Sequence, residues 1–223
     1  MRVLDLTQPL DERTPVWPGS SPFTAVGPDA YDADGFWDRH LSTPEHAGTH
    51  IDAPRHCVPG GAAVADISAE DLVRPAARID AREQRGGDPA WVLSAADVEA
   101  WETEHGRIPA GSAVLLCTGW DAMRSDPDVY LGDPPRFPGF GADAAALLVE
   151  RGVAALGVDT LSVDAGEATD FPVHHITLPA GLFHIEGLIG LDAVPDTGAT
   201  IVVGALRLPG ASGTPARVFA LLP

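Results

Sequence analysis

The sequence predicts a single α/β domain, residues 1–223, whose strands form a mixed sheet. Three observations favour this class. Apolar stretches typical of strands outnumber the helical segments, and two helices are each followed by such a stretch, as in α/β domains. The length of 223 residues and the hydrophobic fraction of 45% suit one core, while 24 glycines and 21 prolines indicate many turns between short elements.

Strands are expected to dominate this domain. Each predicted strand is rich in Val, Ile and Leu, which are the residues that favour a pleated, half-buried or fully buried surface. The predicted strands lie within residues 2–7, 76–81, 112–119, 153–160, 182–186, 199–208 and 216–222.

Two segments carry helix start and stop signals. Ser94 is an N-cap residue for a helix over residues 94–105, which stops at Gly106. A second helix is predicted over residues 142–150 and ends before Gly152. Each helix leads into one of the predicted strands, which places both helices on a face of the sheet.

The segment 125–141 is too rich in Pro and Gly for regular structure to be expected. Its sequence, SDPDVYLGDPPRFPGFG, suits either a lid over a site or a loop that contacts a second subunit. The sequence leaves both alternatives open.

The charge balance excludes several classes of partner. The formal net charge is −18, from 32 acidic and 14 basic residues, so neither nucleic acid nor an anionic membrane surface is an expected partner. No apolar run reaches the roughly 18 residues of a membrane span, and the charged N-terminal segment lacks the apolar core of a signal peptide. Because Cys57 and Cys117 also suit a reducing compartment as free thiols, we expect a cytoplasmic protein.

Residues 44–56, PEHAGTHIDAPRH, carry the strongest chemical signal. Three of the eight histidines fall within one window of eleven residues, together with an aspartate. Pro44 and Pro54 make a helix costly there, so an extended chain is predicted. Side chains of an extended chain alternate between faces, and four even-numbered polar residues therefore project to one side: His46, His50, Asp52 and His56.

Imidazoles and a carboxylate that converge in this way can hold a divalent cation. Zn²⁺ and Mn²⁺ accept nitrogen and oxygen ligands and leave a position open for water. Gly48 lies between the two histidines on that face and has no side chain to block an ion or a substrate. The alternative is that each histidine is satisfied separately by backbone carbonyl groups on a polar loop.

The string HAGTHIDAPRH resembles the signature of the cyclase family of metal-dependent hydrolases. DLTQPLDERTPVWPGS resembles the N-terminal strand of that family and its Trp-Pro-Gly turn, and FPVHHITLPAGLFHIEGLIGLDAVP and SGTPARVFALLP follow its pattern. The resemblance covers nearly the whole chain. It implies a swivelling β/β/α single domain of the cyclase type, which is often dimeric, so we expect a homodimer or a higher homo-oligomer.

The resemblance also implies a set of metal ligands. His46, His50 and Asp52 resemble the ligands of the first metal, and Asp52 also reaches a second. His174 and Glu186, twelve residues apart, resemble the remaining ligands, with Glu186 bridging both ions. The expected cofactor is therefore Zn²⁺, two per chain, or Mn²⁺. Such ions acidify a water molecule and polarise a carbonyl group.

Further roles follow from the same resemblance. His56 resembles the residue that moves the proton, and Trp17 resembles an aromatic wall for the substrate, although Trp17 could equally cover the core. His175 is the alternative to His174 as a ligand. His184 departs from the family pattern, which has an apolar residue there; it is an extra ligand, a partner of a ligand or a substrate contact.

Two acidic residues near the second half of the motif have open roles. Asp159 and Asp164 either orient ligands or belong to a solvated loop.

The expected activity is hydrolysis of an amide in an aromatic, tryptophan-derived small molecule. N-formylkynurenine, cleaved to kynurenine and formate, is the first candidate substrate, and a cyclic amide such as isatin is the second. A metal-dependent cyclase or lyase of secondary metabolism and a metal-stabilised binding module are alternatives from other classes. The lyase would need no nucleophilic water, and the binding module would tolerate loss of His56.

Overall fold

The computed structural model describes residues 1–27, 31 and 35–223. The strands of this part of the chain are β1 (Arg2–Asp5), β2 (Thr24–Val26), β3 (His40–Ser42), β4 (His50–Asp52), β5 (Val73–Asp80), β6 (Val92–Leu93), β7 (Ala113–Cys117), β8 (Gly139–Phe140), β9 (Ala155–Val158), β10 (Phe183–Glu186), β11 (Thr200–Ala205) and β12 (Gly213–Leu222). The helices are α1 (Arg82–Arg85), α2 (Ala95–His105), α3 (Pro127–Leu131), α4 (Ala142–Glu150) and α5 (Pro172–Thr177).

Seven strands close into a barrel. Their order is β12, β11, β5, β7, β9, β10 and β4, and β4 pairs again with β12; β1 lies beside β12 as an eighth strand. The central strands β5, β7, β9 and β10 are parallel, whereas β4, β11 and β12 join by antiparallel pairing. The predicted mixed sheet in an α/β domain is confirmed, and each of the seven predicted strands overlaps a strand of the structure.

The two predicted helices are also confirmed, and they cover the outside of the barrel. On β7, Leu115 joins an apolar cluster to which all seven barrel strands contribute, and Leu116 joins a second cluster that includes side chains of α2 and α4. Alternate residues of β7 therefore face the barrel interior and the helices, and burial on both faces is typical of parallel strands. Ser94 caps α2, because its hydroxyl accepts a hydrogen bond from Asp97 N–H.

The expectation that residues 125–141 lack regular structure is wrong. Helix α3 lies there because Asp126 accepts a hydrogen bond from Val129 N–H and Pro127 occupies the first helical turn, where its missing N–H costs nothing. Tyr130 and Phe137 are fully buried and pack in a third apolar cluster. This packing ties the segment to the domain.

The extended conformation predicted for residues 44–56 is correct only for β4. After β4 the chain forms a 3-10 turn, Pro54–His56, which Pro54 favours at its first position. His56 therefore does not reach the face of His50 and Asp52 by strand alternation. The turn brings it there instead.

Two further sequence expectations concern single features. Cys57 and Cys117 are free thiols, as predicted. Within residues 1–27, 31 and 35–223, no helix combines the length and the apolarity that crossing a bilayer requires.

Candidate metal centre

The pairing of β4 with β10 places four chemically active side chains side by side. The register sets Asp52 opposite His184 and His50 opposite Glu186. Directly opposed residues of an antiparallel pair share a face, and residues two apart on one strand share it too. The four side chains therefore form one buried polar patch.

Asp52 lies at the centre of this patch, and each of its two oxygens has two imidazole neighbours. Oδ1 lies 2.6 Å from His46 Nδ1 and 3.4 Å from His50 Nε2. Oδ2 lies 3.3 Å from His174 Nε2 and 3.4 Å from His184 Nδ1. The structure thus brings His46 from the preceding loop and His174 from α5 to the patch formed by β4 and β10.

Glu186 is the second carboxylate of this patch. Its Oε2 is 3.3 Å from His50 Nε2, and its Oε1 is 3.7 Å from His174 Nε2. The five residues that the family resemblance proposes as ligands therefore lie together, and His184 lies among them. His175 follows His174 directly but is exposed, so the structure brings His174 to the cluster.

The far nitrogens of two histidines are held by hydrogen bonds. His50 Nδ1–H donates to the carbonyl oxygen of Gly48 (2.9 Å), and His174 Nδ1–H donates to Asp164 Oδ2 (2.6 Å). The Nε2 atom of each ring then presents a lone pair to the carboxylates. Such outer partners fix the ring orientation and tautomer of metal-binding histidines.

Asp164 is a residue for which the sequence left two roles open. It is buried, and besides His174 Nδ1–H it accepts the backbone N–H groups of Val173 and His174. Asp164 therefore orients the His174 ring and accepts two free N–H groups in the first turn of α5. Asp159 instead accepts hydrogen bonds from Thr118 and Gly119, and burial raises its pKa to about 7.

The donor set fits a divalent cation. Zn²⁺ binds imidazole nitrogen and carboxylate oxygen at about 2.0–2.1 Å, so neighbouring ligand atoms of a tetrahedral site are about 3.3–3.4 Å apart. Most of the nitrogen-to-oxygen distances in the cluster, 3.3 and 3.4 Å, match this spacing. His50 Nε2 is buried and has no hydrogen-bond partner among the described residues, as expected of a nitrogen reserved for an ion.

The electrostatics also favour bound positive charge. Burial lowers the pKa of His50, but Asp52 and Glu186 more than offset this and raise it to about 10. Burial raises the pKa of Asp52, but four histidines, His174 first, hold it well below its usual range. The two buried carboxylates therefore attract either protons on the imidazoles or a cation between them.

A cavity of about 320 Å³ opens onto this cluster. Trp17 and Phe171 form one side of it, with their ring centroids 5.7 Å apart in an edge-on arrangement. Trp17 is half-buried, so it contributes both to the wall and to packing. The structure therefore places Trp17 on the wall of the cavity that opens onto the cluster.

Phe171 is a cavity residue that the sequence did not indicate. Its backbone has φ 46° and ψ 53°, the left-handed region that non-glycine residues rarely adopt. Such strain costs about 1–3 kcal/mol and collects at functional sites. A residue before proline is normally extended, so no sequence signal predicts this conformation.

His56 lines the cavity beside the cluster of histidines and carboxylates. Its ring centroid is 4.0 Å from that of His46 and 5.6 Å from that of His174, and its side chain is partly exposed. Burial lowers its pKa below the ordinary value of 6.5. A neutral imidazole that faces both the cavity and the cluster can accept and return a proton.

Comparison with known proteins agrees with this picture. The Cyclase family model, described as "Putative cyclase", matches residues 4–165. The chain is 30% identical to the isatin hydrolase of Roseibium aggregatum, over 100% of this chain and 92% of that protein. It is also 30% identical to the kynurenine formamidase of Bacillus mycoides, over 96% of this chain and 94% of that protein. Isatin hydrolase A from Ralstonia solanacearum matches in structure with a TM-score of 0.92 and 36% identity, covering 100% of this chain and 92% of that chain.

Proposed function

The chain belongs to the cyclase family of metal-dependent hydrolases, and we propose that it hydrolyses an amide bond in an aromatic small molecule. The observation that carries this proposal is the cavity, which has an aromatic side at Trp17 and Phe171 and the cluster of histidines and carboxylates at its base. A flat substrate held against the aromatic side would present its carbonyl group to the cluster.

The proposed ligands divide into two overlapping sets. His46, His50 and Asp52 would hold one cation, and Asp52, His174 and Glu186 would hold a second, with Zn²⁺ or Mn²⁺ as the metal. A cation bound there supplies a Lewis acid for the carbonyl group and lowers the pKa of water. At 2.6 Å, the contact between His46 and Asp52 has the length of a charge-assisted hydrogen bond and must lengthen when His46 binds an ion.

His56 is proposed as the general base and acid. It is not required as a ligand, its lowered pKa keeps it neutral at physiological pH, and it lies beside His46 at the cavity. It would take a proton from the attacking water and return it to the leaving nitrogen. Trp17 and Phe171 would hold the aromatic ring of the substrate. The substrate would then lose its translational and rotational entropy on binding rather than in the chemical step.

Two substrates have specific support. The chain resembles a kynurenine formamidase, whose name indicates an open-chain formamide such as N-formylkynurenine. It resembles two isatin hydrolases at 30% and 36% identity, which favours a cyclic amide such as isatin. Both substrates carry an amide on a flat aromatic ring, so the cavity suits both.

A paired assay tests the proposal and separates the substrates. The purified protein is loaded with Zn²⁺ or Mn²⁺ and its turnover of N-formylkynurenine and of isatin is measured by ultraviolet absorbance, with an aliphatic formamide as control. We expect aryl amide turnover that is lost on chelation. Metal binding without turnover of any amide would favour a binding module or a lyase and contradict the proposal.

Asp52→Ala tests the ligand assignment in the same preparation. The variant lacks the carboxylate that neighbours four imidazoles, so we expect it to lose most of the bound metal. The metal is measured by atomic emission after dialysis. Full occupancy in Asp52→Ala would contradict the assignment, and Asp66→Ala on a nearby 3-10 turn is a matched control.

We also propose a homodimer that acts in the cytoplasm. Large apolar side chains are exposed near the N-terminal third of the chain, at Val26, Tyr31, Trp37 and Leu41, which is typical of a contact surface. Light scattering on a size-exclusion column measures the oligomer directly. A monomer over the micromolar concentration range would contradict the dimer.

A further inference from the structure

We infer that His184 is a metal ligand, and that together with Asp52, His174 and Glu186 it encloses one cation with four protein ligands. This set is called the inner site. The inference rests on the proposed function, because it requires that the cluster binds metal. It adds a ligand that the family pattern lacks, and it makes the two metal positions unequal.

The hydrogen bonds of Thr177 fix the tautomer of His184. Thr177 Oγ1 lies 2.7 Å from the carbonyl oxygen of Val173 and 2.7 Å from His184 Nε2. A carbonyl oxygen can only accept, so the single hydroxyl proton of Thr177 goes to Val173. His184 Nε2 must then donate its own proton to Thr177 Oγ1, which leaves the lone pair of the neutral ring on Nδ1.

The lone pair on His184 Nδ1 faces a carboxylate oxygen of Asp52. His184 Nδ1 lies 3.4 Å from Asp52 Oδ2, is buried, and has no hydrogen-bond partner among the described residues. Two acceptor atoms that face each other in a buried site repel, unless a positive charge lies between them. A cation on Nδ1 removes this conflict.

The spacing of the four ligand atoms agrees with one ion. One donor atom from each of Asp52, His174, His184 and Glu186 lies within 4.8 Å of every other. The distances from Asp52 Oδ2 to His174 Nε2 and to His184 Nδ1 are 3.3 and 3.4 Å, the edge of a tetrahedral zinc site, about 3.3–3.4 Å. Glu186 Oε1 lies 3.7 Å from His174 Nε2, slightly more than this edge, and the inner site therefore offers four ligand atoms to one ion.

The inner site lies at the base of the cavity and extends behind it. All four of its residues are buried; His174 and Glu186 line the cavity, whereas Asp52 and His184 do not. His46, His50 and His56 do line it. Four protein ligands are typical of structural zinc sites, whereas catalytic sites keep a position for water. The exchangeable position therefore belongs to the side of His46 and His50.

The test measures bound metal rather than activity. Wild type and variants are stripped with chelator, equilibrated with Zn²⁺ and analysed for stoichiometry and affinity by competition with a chromogenic chelator. We expect His184→Ala to lose one equivalent of tightly bound Zn²⁺ relative to wild type. His175→Ala, the same change at the exposed neighbour of His174, should keep the wild-type metal content.

A second variant keeps the inference testable if His184→Ala does not fold. Thr177→Val preserves side-chain shape but removes the hydroxyl that fixes the His184 tautomer, and loss of such a partner lowers metal affinity about 10- to 100-fold. In the Co²⁺-substituted protein, the intense visible absorption of a four-coordinate site should weaken in His184→Ala. His184→Ala or Thr177→Val with wild-type Zn²⁺ affinity and an unchanged Co²⁺ spectrum would overturn the inference. A wild-type protein that binds no metal would instead overturn the proposed function itself.

Discussion

At the scale of single residues, Asp52 organises the centre. Its two oxygens divide four histidines into two pairs: His46 and His50 both line the cavity, whereas of His174 and His184 the first lines it and the second does not. Two of these four histidines come from the motif in which Asp52 itself lies, which is why the sequence could indicate a metal site. His46, His50 and Asp52 are close together in the sequence, so their proximity in space could be predicted without the fold.

The partners that orient the histidines were harder to predict. Thr177 and Ser212 contact imidazole nitrogens of His184 and His46, yet neither carried a predicted role, although both lie in segments that follow the family pattern. Serine and threonine occur on most surfaces, so only the folded chain shows that these two have such a role. Asp164 had two alternative roles on sequence grounds, and its hydrogen bond with His174 decides between them.

His56→Ala tests the proton-transfer role. If His56 moves the proton and other groups hold the metal, the variant should keep its metal content and melting temperature while kcat falls about 10²- to 10⁴-fold. Steady-state kinetics and metal analysis on the same sample measure both quantities. His40→Ala, at an exposed position of β3, is the control. An unchanged kcat would assign proton transfer to another group.

Trp17→Ala tests the aromatic side of the cavity. Trp17 is half-buried, and its ring centroid lies 5.7 Å from that of Phe171. We therefore expect the KM of Trp17→Ala for aryl amides to rise about tenfold, while its metal content stays the same. The loss of stability should be smaller than the roughly 3–5 kcal/mol of a fully buried tryptophan. Kinetics on aryl and aliphatic amides and thermal melting measure these effects.

Trp91→Ala, at a tryptophan that is also partly buried but does not line the cavity, is the control for this variant. A large fall in the melting temperature of Trp17→Ala with unchanged selectivity between aryl and aliphatic amides would make Trp17 a packing residue.

At the scale of elements, the centre depends on three strands in fixed register. β4 lies between β10 and β12, with Asp52 opposite His184 on one side and Gly213 on the other. Ser212 precedes β12 and connects Glu45 to His46: its hydroxyl donates to Glu45 (2.6 Å) and lies 3.0 Å from His46 Nε2. The β12 edge thus positions His46.

Gly213→Ala should disturb His46 without changing any ligand. A Cβ atom at residue 213 would lie 2.5 Å from His46 Cε1 and 2.7 Å from the carbonyl oxygen of Ile51, closer than non-bonded atoms approach. His46 must therefore move, and we expect the affinity for the cavity-side ion to fall about tenfold or more. Zinc competition titration measures the affinity.

Gly204→Ala on β11 is the matched control, because its Cβ would meet its nearest atom, the carbonyl oxygen of Arg217, at 3.2 Å. If Gly213→Ala binds both ions as tightly as wild type, β12 does not position His46.

The elements that were predicted correctly are those with a strong local signal. β7 and β9 are continuous apolar segments, and α2 has a capping serine followed by a glycine stop. β4 has three residues, of which two are the polar residues His50 and Asp52, so it lacks an apolar pattern. Short elements such as β4, α3 and α5 are fixed by contacts with distant segments rather than by their own propensities.

At the scale of the whole molecule, closure of the barrel brings the residues of the candidate metal centre together. The proposed ligands run from residue 46 to residue 186, and they meet because β4 pairs with both β10 and β12. A single sequence indicates the strands but not which strand closes the barrel, so the second half of the centre could be proposed only from the family resemblance. The net charge of −18 gives the molecule a negative field that attracts cations.

Acid stability is a whole-molecule property that one carboxylate should change measurably. Asp80, at the end of β5, bonds Arg82 (2.7 Å) and Arg78 (2.8 Å), and Arg78 also bonds Asp196 (2.6 Å). Hydrogen bonds from Arg82, opposed in part by burial, lower the pKa of Asp80 to about 2. In the unfolded chain the same group titrates near pH 3.9.

Asp80→Asn should therefore lower the free energy of unfolding by about 1–2 kcal/mol at neutral pH. A carboxylate whose pKa is lower in the folded state stabilises the fold above about pH 4, and this contribution disappears as the pH falls towards 2. The difference between wild type and Asp80→Asn should shrink over that interval. Urea unfolding at a series of pH values measures this difference in the free energy of unfolding, with chelator present so that metal release does not contribute.

Glu83→Gln, at an exposed acid on the adjacent α1, removes the same charge as a control and should have a small effect at every pH. A constant difference from pH 7 to pH 2 would show that Asp80 acts through packing rather than through its charge.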